Sequence, residues 1–114
     1  MAQKYDFCIN RGTDFQCLFV CFTGIGDALL MNGFSAKMQI KQFYAAKPID
    51  ELSTENGRLV IDSENAVIQA DFPHEVTSRY PPVRLLYDIL LTSADGHVFR
   101  LLEGTITVRP GVTK

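Results

Sequence analysis

The two histidines are the side chains in this 114-residue sequence that best suit acid–base chemistry near neutral pH. His74 follows Pro73 in a proline-bounded segment, and His97 follows the turn-forming pair Asp95-Gly96. We expect both histidines on the surface, because neither belongs to a recognisable arrangement of nucleophile and base. No loop longer than about ten residues is evident that would form a pocket. The sequence therefore predicts a protein that is not an enzyme.

Asp88 is the most unusual acidic residue, because it stands in a strongly apolar stretch between Tyr87 and Ile89. A buried carboxylate has to be paired or hydrogen-bonded, and such a group can act as a general base. The simpler expectation is that Asp88 faces outward, toward Arg84 or toward Arg100 on a neighbouring strand.

Three cysteines, Cys8, Cys17 and Cys21, lie near the start of the sequence. An odd number does not suit a secreted disulfide scaffold. Cys17 and Cys21 would lie roughly 13 Å apart along a strand, which is too far for a disulfide. Neither His74 nor His97 completes a metal-ligand spacing with them. We therefore predict three reduced thiols, packed as small core residues, and no metal site.

Charge and hydropathy exclude several classes of partner. The net charge is −2 and the pI is about 5.6, so no basic surface suggests nucleic acid or an anionic membrane. No apolar run approaches the roughly 18 residues that span a bilayer, and the first ten residues lack the apolar core of a signal peptide. Gly24-Ile25-Gly26 lacks the third glycine and the helix of a nucleotide-binding loop. We predict no nucleic-acid partner, no membrane insertion and synthesis in the cytoplasm.

A long β-hairpin from Val83 to Arg109 is the clearest structural unit. Its turn at 93–96 contains Asp-Gly, in which the glycine can adopt the positive φ of a tight reversal. The first strand is apolar on both faces, so we expect both to be covered. The return strand alternates, with Val98, Leu102, Ile106 and Val108 inward and Thr105, Thr107 and Arg109 outward. Gly104 interrupts it, which indicates a bulge or a close backbone approach.

Shorter strands precede the hairpin. Alternation of period two predicts that Ala36, Met38 and Ile40 face inward on one strand, and Ala66, Ile68, Ala70 and Phe72 on another. Strands are predicted at about 5–10, 15–22, 35–43, 49–52, 58–62 and 66–72, with at most one short helical turn near 73–80. Seven to nine strands at this spacing favour an all-β, antiparallel sandwich that forms a single domain over 1–114.

The order of several motifs resembles a family of small immunoglobulin-like β-domains in the tail and baseplate proteins of tailed bacteriophages and prophages. The motifs are Arg11-Gly12-Thr13-Asp14-Phe15, the strand 33–41, the turn Asn56-Gly57, the strand 87–91, the return 95–104 and the ending 106–113. The resemblance covers about residues 9 to 113. One departure is Leu30-Met31-Asn32, where the family usually has a leucine followed by threonine or serine and then glycine.

The resemblance implies an immunoglobulin-like sandwich that is a structural part of the virion tail, without catalytic residues or a cofactor. Such a protein would be assembled in the host cytoplasm and would pack, in several copies, against other tail or baseplate proteins. Surface arginines commonly anchor interfaces, so Arg79 and Arg100 are predicted interface residues.

Two other functions are weighed against this one. The first is a carbohydrate- or peptide-binding β-sandwich module for attachment to a host surface. It is disfavoured because there is no Trp, most Phe and Tyr residues fall on strands and no exposed aromatic platform is evident. The second is a small barrel enzyme of lipocalin-like or cupin-like type, which is disfavoured by the lack of a catalytic arrangement.

Overall fold

The structure is a computed structural model that describes residues 3–20 and 33–111. Within these ranges the chain forms nine strands and one helical turn. The strands are β1 (Gln3–Lys4), β2 (Phe7–Asn10), β3 (Phe15–Val20), β4 (Ser35–Lys41), β5 (Asp50–Ser53), β6 (Leu59–Asp62), β7 (Val67–Phe72), β8 (Arg84–Thr92) and β9 (Val98–Arg109). The helical turn is α1 (His74–Thr77), which confirms the predicted short turn.

The strands form two sheets that pack as a sandwich. The larger sheet has the order β1-β9-β8-β4-β5, with β2 also paired to β9, and the smaller sheet has the order β3-β7-β6. The smaller sheet matches the B, E and D strands of an immunoglobulin domain, and β9-β8-β4-β5 matches its G, F, C and C′ strands. The predicted immunoglobulin-like β-sandwich is therefore confirmed. Its ladders are antiparallel except that β1 and β2 run parallel to β9.

The predicted hairpin is formed by β8 and β9. Gly96 has a φ of 93°, and its N–H donates a hydrogen bond of 3.0 Å to the Ser93 carbonyl. The inward set predicted for the return strand is wrong at Val98, which is exposed. Leu101 is an extra residue, because its neighbours Arg100 and Leu102 pair with consecutive residues of β8. This β-bulge shifts the alternation, so that the buried residues of β9 are Leu101, Leu102, Ile106 and Val108.

Gly104 marks a close backbone approach, one of the two structures that its position predicted. A Cβ at Gly104 would lie 2.1 Å from the Tyr5 carbonyl oxygen. The Tyr5 N–H in turn donates a hydrogen bond of 3.0 Å to the Glu103 carbonyl. Glycine therefore allows the first strands to lie directly against β9.

The core follows the predicted alternation in β4 and β7. Ala36, Met38, Ile40, Ala66, Ile68, Ala70 and Phe72 are all buried. Aromatic rings join the sheets: the ring centroid of Phe7 on β2 lies 5.8 Å from that of Phe15 on β3 and 5.3 Å from that of Tyr87 on β8. Strand β4 ends at Lys41 rather than at Phe43, because the chain turns into an exposed loop there.

Some sequence predictions lie outside the described residues. They are the turn at Gly24–Asp27, the end of the second strand at residues 21–22, the thiol of Cys21 and the departure at 30–32. The other two cysteines are free thiols. Cys17 is buried as predicted, but the predicted core position is wrong for Cys8, which is exposed because it alternates with the buried Phe7 and Ile9 on β2. Burial raises the pKa of the Cys17 thiol to about 11.

Candidate functional site

The segment Arg11–Asp14 belongs to the motif Arg11–Phe15. It contacts the crossover between β7 and β8, which contains α1. Thr77 is fully buried. Its hydroxyl donates to the Thr13 carbonyl over 2.8 Å and accepts from the Gly12 N–H over 3.1 Å. The Arg11 guanidinium donates to the Tyr80 carbonyl over 3.0 Å. These contacts give the motif a structural role.

His74 also contacts the segment Arg11–Asp14, through Asp14. The Asp14 carboxylate accepts a hydrogen bond of 2.7 Å from the His74 backbone N–H and lies 2.9 Å from its Nδ1. The hydrogen bond and charge of Asp14 raise the pKa of His74, and the His74 hydrogen bonds lower the pKa of Asp14. His74 is exposed, as predicted.

A largely buried ion pair links strand β5 to the turn before β6. Arg58 donates two hydrogen bonds to the carboxylate of Asp50, of 2.7 and 2.8 Å, and the Tyr80 hydroxyl donates a third of 2.5 Å. Burial alone would raise the pKa of Asp50, but the hydrogen bonds from Arg58 and Tyr80 hold it below its ordinary value. The Arg58 Nε also donates to the Asp71 carbonyl, so this network connects the two sheets.

Asp88 faces outward and pairs with Arg100, one of the two partners predicted for it. The distance from the Arg100 Nε to the Asp88 Oδ2 is 3.2 Å. Strand register places Asp88 between Gln39 on β4 and Glu103 on β9, and Glu103 opposite Lys4 on β1. These polar side chains form one row across four strands of the larger sheet.

This row lies in a groove of about 580 Å³ on the outer face of the larger sheet, which we name the sheet groove. Lys4 and Asp6 lie on its β1 side, and Lys41 and Tyr44 lie on its β4 side. Arg100, Asp88 and Glu103 complete its charged lining, which has three cationic and three anionic side chains.

The loop between β4 and β5 exposes two aromatic side chains, Phe43 and Tyr44. Tyr44 is 84% exposed and lines the sheet groove, whereas Phe43 does not line it. The expectation that no aromatic surface is exposed is therefore wrong for this loop. The available signal was an aromatic pair directly before the loop residues Ala45 and Ala46.

The outer face of the smaller sheet carries four aliphatic side chains among polar ones. Leu18 and Val60 lie on either side of Gln69 in one register row, and Val20 pairs with Val67 in the next. Leu18, Val20 and Val60 are 58%, 50% and 48% exposed. We name Leu18, Val20, Val60 and Val67 the apolar face. The sequence predicted it in part, because β3 is apolar on both faces.

The two predicted interface arginines are not brought together. Arg79 follows α1 and precedes the start of β8, whereas Arg100 pairs with Leu90 near the end of β8. Both are exposed, but Arg100 lines the sheet groove and Arg79 does not. Their roles at an interface stay predictions.

The part of the chain that the structure describes shows neither a metal-binding cluster nor a membrane-spanning helix. Among these residues no group of three or more His, Cys, Asp or Glu side chains is placed to hold a metal ion. No helix formed by them is long and apolar enough to span a membrane.

Comparisons with known proteins assign no family to the sequence. No family model and no curated protein matches the sequence. Among solved structures, the chain is similar to "Drosophila OTK, extracellular domains 3-5", with 15% identity and a TM-score of 0.37. The match covers 90% of this chain and 32% of that chain. The chain thus spans about a third of that structure, and a likeness this weak supports no further conclusion.

Proposed function

We propose that this protein is a structural component of a bacteriophage or prophage tail or baseplate, and that it acts by packing against other virion proteins. The observation that carries the packing role is the apolar face. Leu18, Val20 and Val60 are about half exposed in adjacent register rows. Aliphatic side chains exposed together on one face of a sheet are a common component of protein-binding surfaces.

The assignment to a phage tail rests on the order of the sequence motifs, from Arg11–Phe15 to the ending at 106–113. Other tail or baseplate proteins are the proposed partners, and the virion tail is the proposed location. The resemblance implies an immunoglobulin-like sandwich, and the strand order of the two sheets agrees with that fold.

The test is a charge substitution on the apolar face, in particles made from a phage genome that carries the gene. Leu18→Glu and Val60→Glu should leave the purified chain folded, because both side chains point outward, and should remove it from assembled tails. Val98→Glu is the matched control, because Val98 is 60% exposed on the other sheet. Normal incorporation of folded Leu18→Glu and Val60→Glu chains would contradict packing through this face.

The arginine predictions are tested in the same assay. Arg79→Glu and Arg100→Glu replace exposed side chains in two separate places, one between α1 and β8 and the other on β9. We expect at least one substitution to block incorporation without loss of folding, measured by electron microscopy of tails labelled with an antibody against this chain.

A second candidate role is recognition of a carbohydrate or peptide on a host surface. The observation that favours it is the position of Tyr44, exposed at the rim of a polar groove. Concave surfaces with a few convergent polar groups are the usual form of ligand sites.

A further inference from the structure

We propose that the sheet groove is a binding site for a neutral oligosaccharide. The inference deepens the second role given above and rests on it. Packing through the apolar face does not depend on it, because Leu18 and Val60 lie on the other sheet.

The charge balance of the groove indicates a neutral ligand. Its lining contains Lys4, Lys41 and Arg100 together with Asp6, Asp88 and Glu103, so the formal charges cancel. A polyanion would meet the three carboxylates and a polycation would meet the three basic groups. A sugar hydroxyl both donates and accepts hydrogen bonds, so a neutral glycan can use both kinds of side chain.

Several of these groups retain hydrogen-bonding capacity. Arg100 donates to Asp88 through Nε, which leaves its terminal N–H groups outside that contact. The side chains of Lys4, Lys41 and Glu103 form no hydrogen bond or ion pair with other residues of the described ranges. Donors and acceptors therefore converge on the groove from β1, β4 and β9. Polar groups placed in this way confer specificity for hydroxyl patterns.

Tyr44 supplies the apolar contact that a sugar ring needs. An exposed aromatic ring offers a flat apolar surface together with a polar hydroxyl, and the C–H face of a pyranose can pack on it. The groove volume of about 580 Å³ lies within the range of small-ligand sites. A peptide would need apolar pockets for anchoring side chains, yet Leu86 is the one aliphatic side chain among the described residues of the lining.

The experiment is a glycan microarray that presents neutral, sialylated and sulfated oligosaccharides, followed by calorimetric titration with the neutral glycan that gives the strongest signal. We expect saturable binding of the wild-type chain to a neutral glycan. Tyr44→Ala should weaken that binding about tenfold or more, because the stacking contact is lost. Phe43→Ala is the matched control, because Phe43 is exposed beside Tyr44 but does not line the groove. It should bind normally.

A second variant tests the polar part of the groove. Glu103→Gln keeps the shape of the side chain and removes one charge, and the melting temperature should stay unchanged because the carboxylate has no described partner. Its glycan affinity should fall. No binding on the array, binding to charged glycans only, binding to a peptide library in place of glycans, or unchanged affinity in Tyr44→Ala would each overturn the proposal. Tyr44→Ala should assemble normally into tails, and Leu18→Glu should bind the glycan normally.

Discussion

The hydroxyl of Tyr87 donates a hydrogen bond of 2.5 Å to the backbone carbonyl of Tyr5, 82 residues earlier in the sequence. The contact joins the core side of β8 to the chain between β1 and β2, beside Gly104. Burial raises the pKa of the Tyr87 hydroxyl, which therefore stays protonated as a hydrogen-bond donor. The first strands are thus held both by their parallel ladder with β9 and by a side chain from the core.

Tyr87→Phe tests this hydrogen bond without removing the ring. We expect a loss of about 0.5–1.5 kcal/mol in the free energy of unfolding, measured by denaturant titration. Tyr87→Ala should cost more, on the order of 3–5 kcal/mol, because the ring also packs against Phe7. An unchanged stability in Tyr87→Ala would show that the ring does not support the core.

Gly104→Ala should destabilise the attachment of β1 and β2 to β9. The new methyl group would overlap the Tyr5 carbonyl, a backbone atom that cannot move independently of its strand. We expect a cost of about 1–3 kcal/mol, and faster hydrogen exchange at the Tyr5 amide, which bonds to the Glu103 carbonyl. Thr105→Ala, next in the strand, is the control. Equal stability of Gly104→Ala and wild type would refute the close approach.

The Asp50–Arg58 pair should matter more than a surface ion pair. Arg58→Met leaves a largely buried carboxylate without its cation, which costs about 3–5 kcal/mol. Lys37→Met, which breaks the exposed Lys37–Glu51 pair, should leave stability nearly unchanged. The pKa of Asp50 is lowered from 3.8 in the folded protein. Its contribution to stability is therefore present above pH 3.8 and is lost as pH falls through the pKa of Asp50 in the folded state. Denaturant titrations of wild type and Arg58→Met between pH 2 and 7 measure the free energy of unfolding. Similar values for the two proteins at neutral pH would contradict a stabilising role for the Asp50–Arg58 pair.

His74 should make the stability of the crossover depend on pH above 6.5. Its pKa is raised above 6.5 by Asp14, so the stabilisation is fully present below pH 6.5 and is lost as pH rises through the folded pKa. Asp14→Asn should bring the His74 pKa back toward 6.5 in an NMR titration of the imidazole. Asp71→Asn serves as the control, because the Asp71 side chain on β7 accepts a hydrogen bond from Gln16 and is not a partner of His74. An unshifted His74 pKa in Asp14→Asn would rule out the pairing.

The local features of the fold are determined by the sequence itself. Asp95-Gly96 predicts the hairpin turn because a glycine tolerates positive φ, and the alternation at Ala36, Met38 and Ile40 predicts their burial because strand side chains alternate between faces. The prolines at 73 and 81–82 limit the helix to one turn because proline cannot continue a helix. The outward position of Asp88 is also predicted by the sequence, because an acidic residue in an apolar strand has to face solvent or a partner.

Tertiary structure alone decided how distant segments meet. The Leu101 bulge depends on strand pairing, so a period of two placed Val98 on the wrong face. The sheet groove joins Lys4, Tyr44 and Arg100 from three separate segments, and the exposure of Tyr44 depends on where β4 ends. Arg58 finds Asp50 because the turn before β6 lies beside β5. Such contacts depend on sheet order and register, which arise from the packing of the whole core and leave no periodic signal in any single strand.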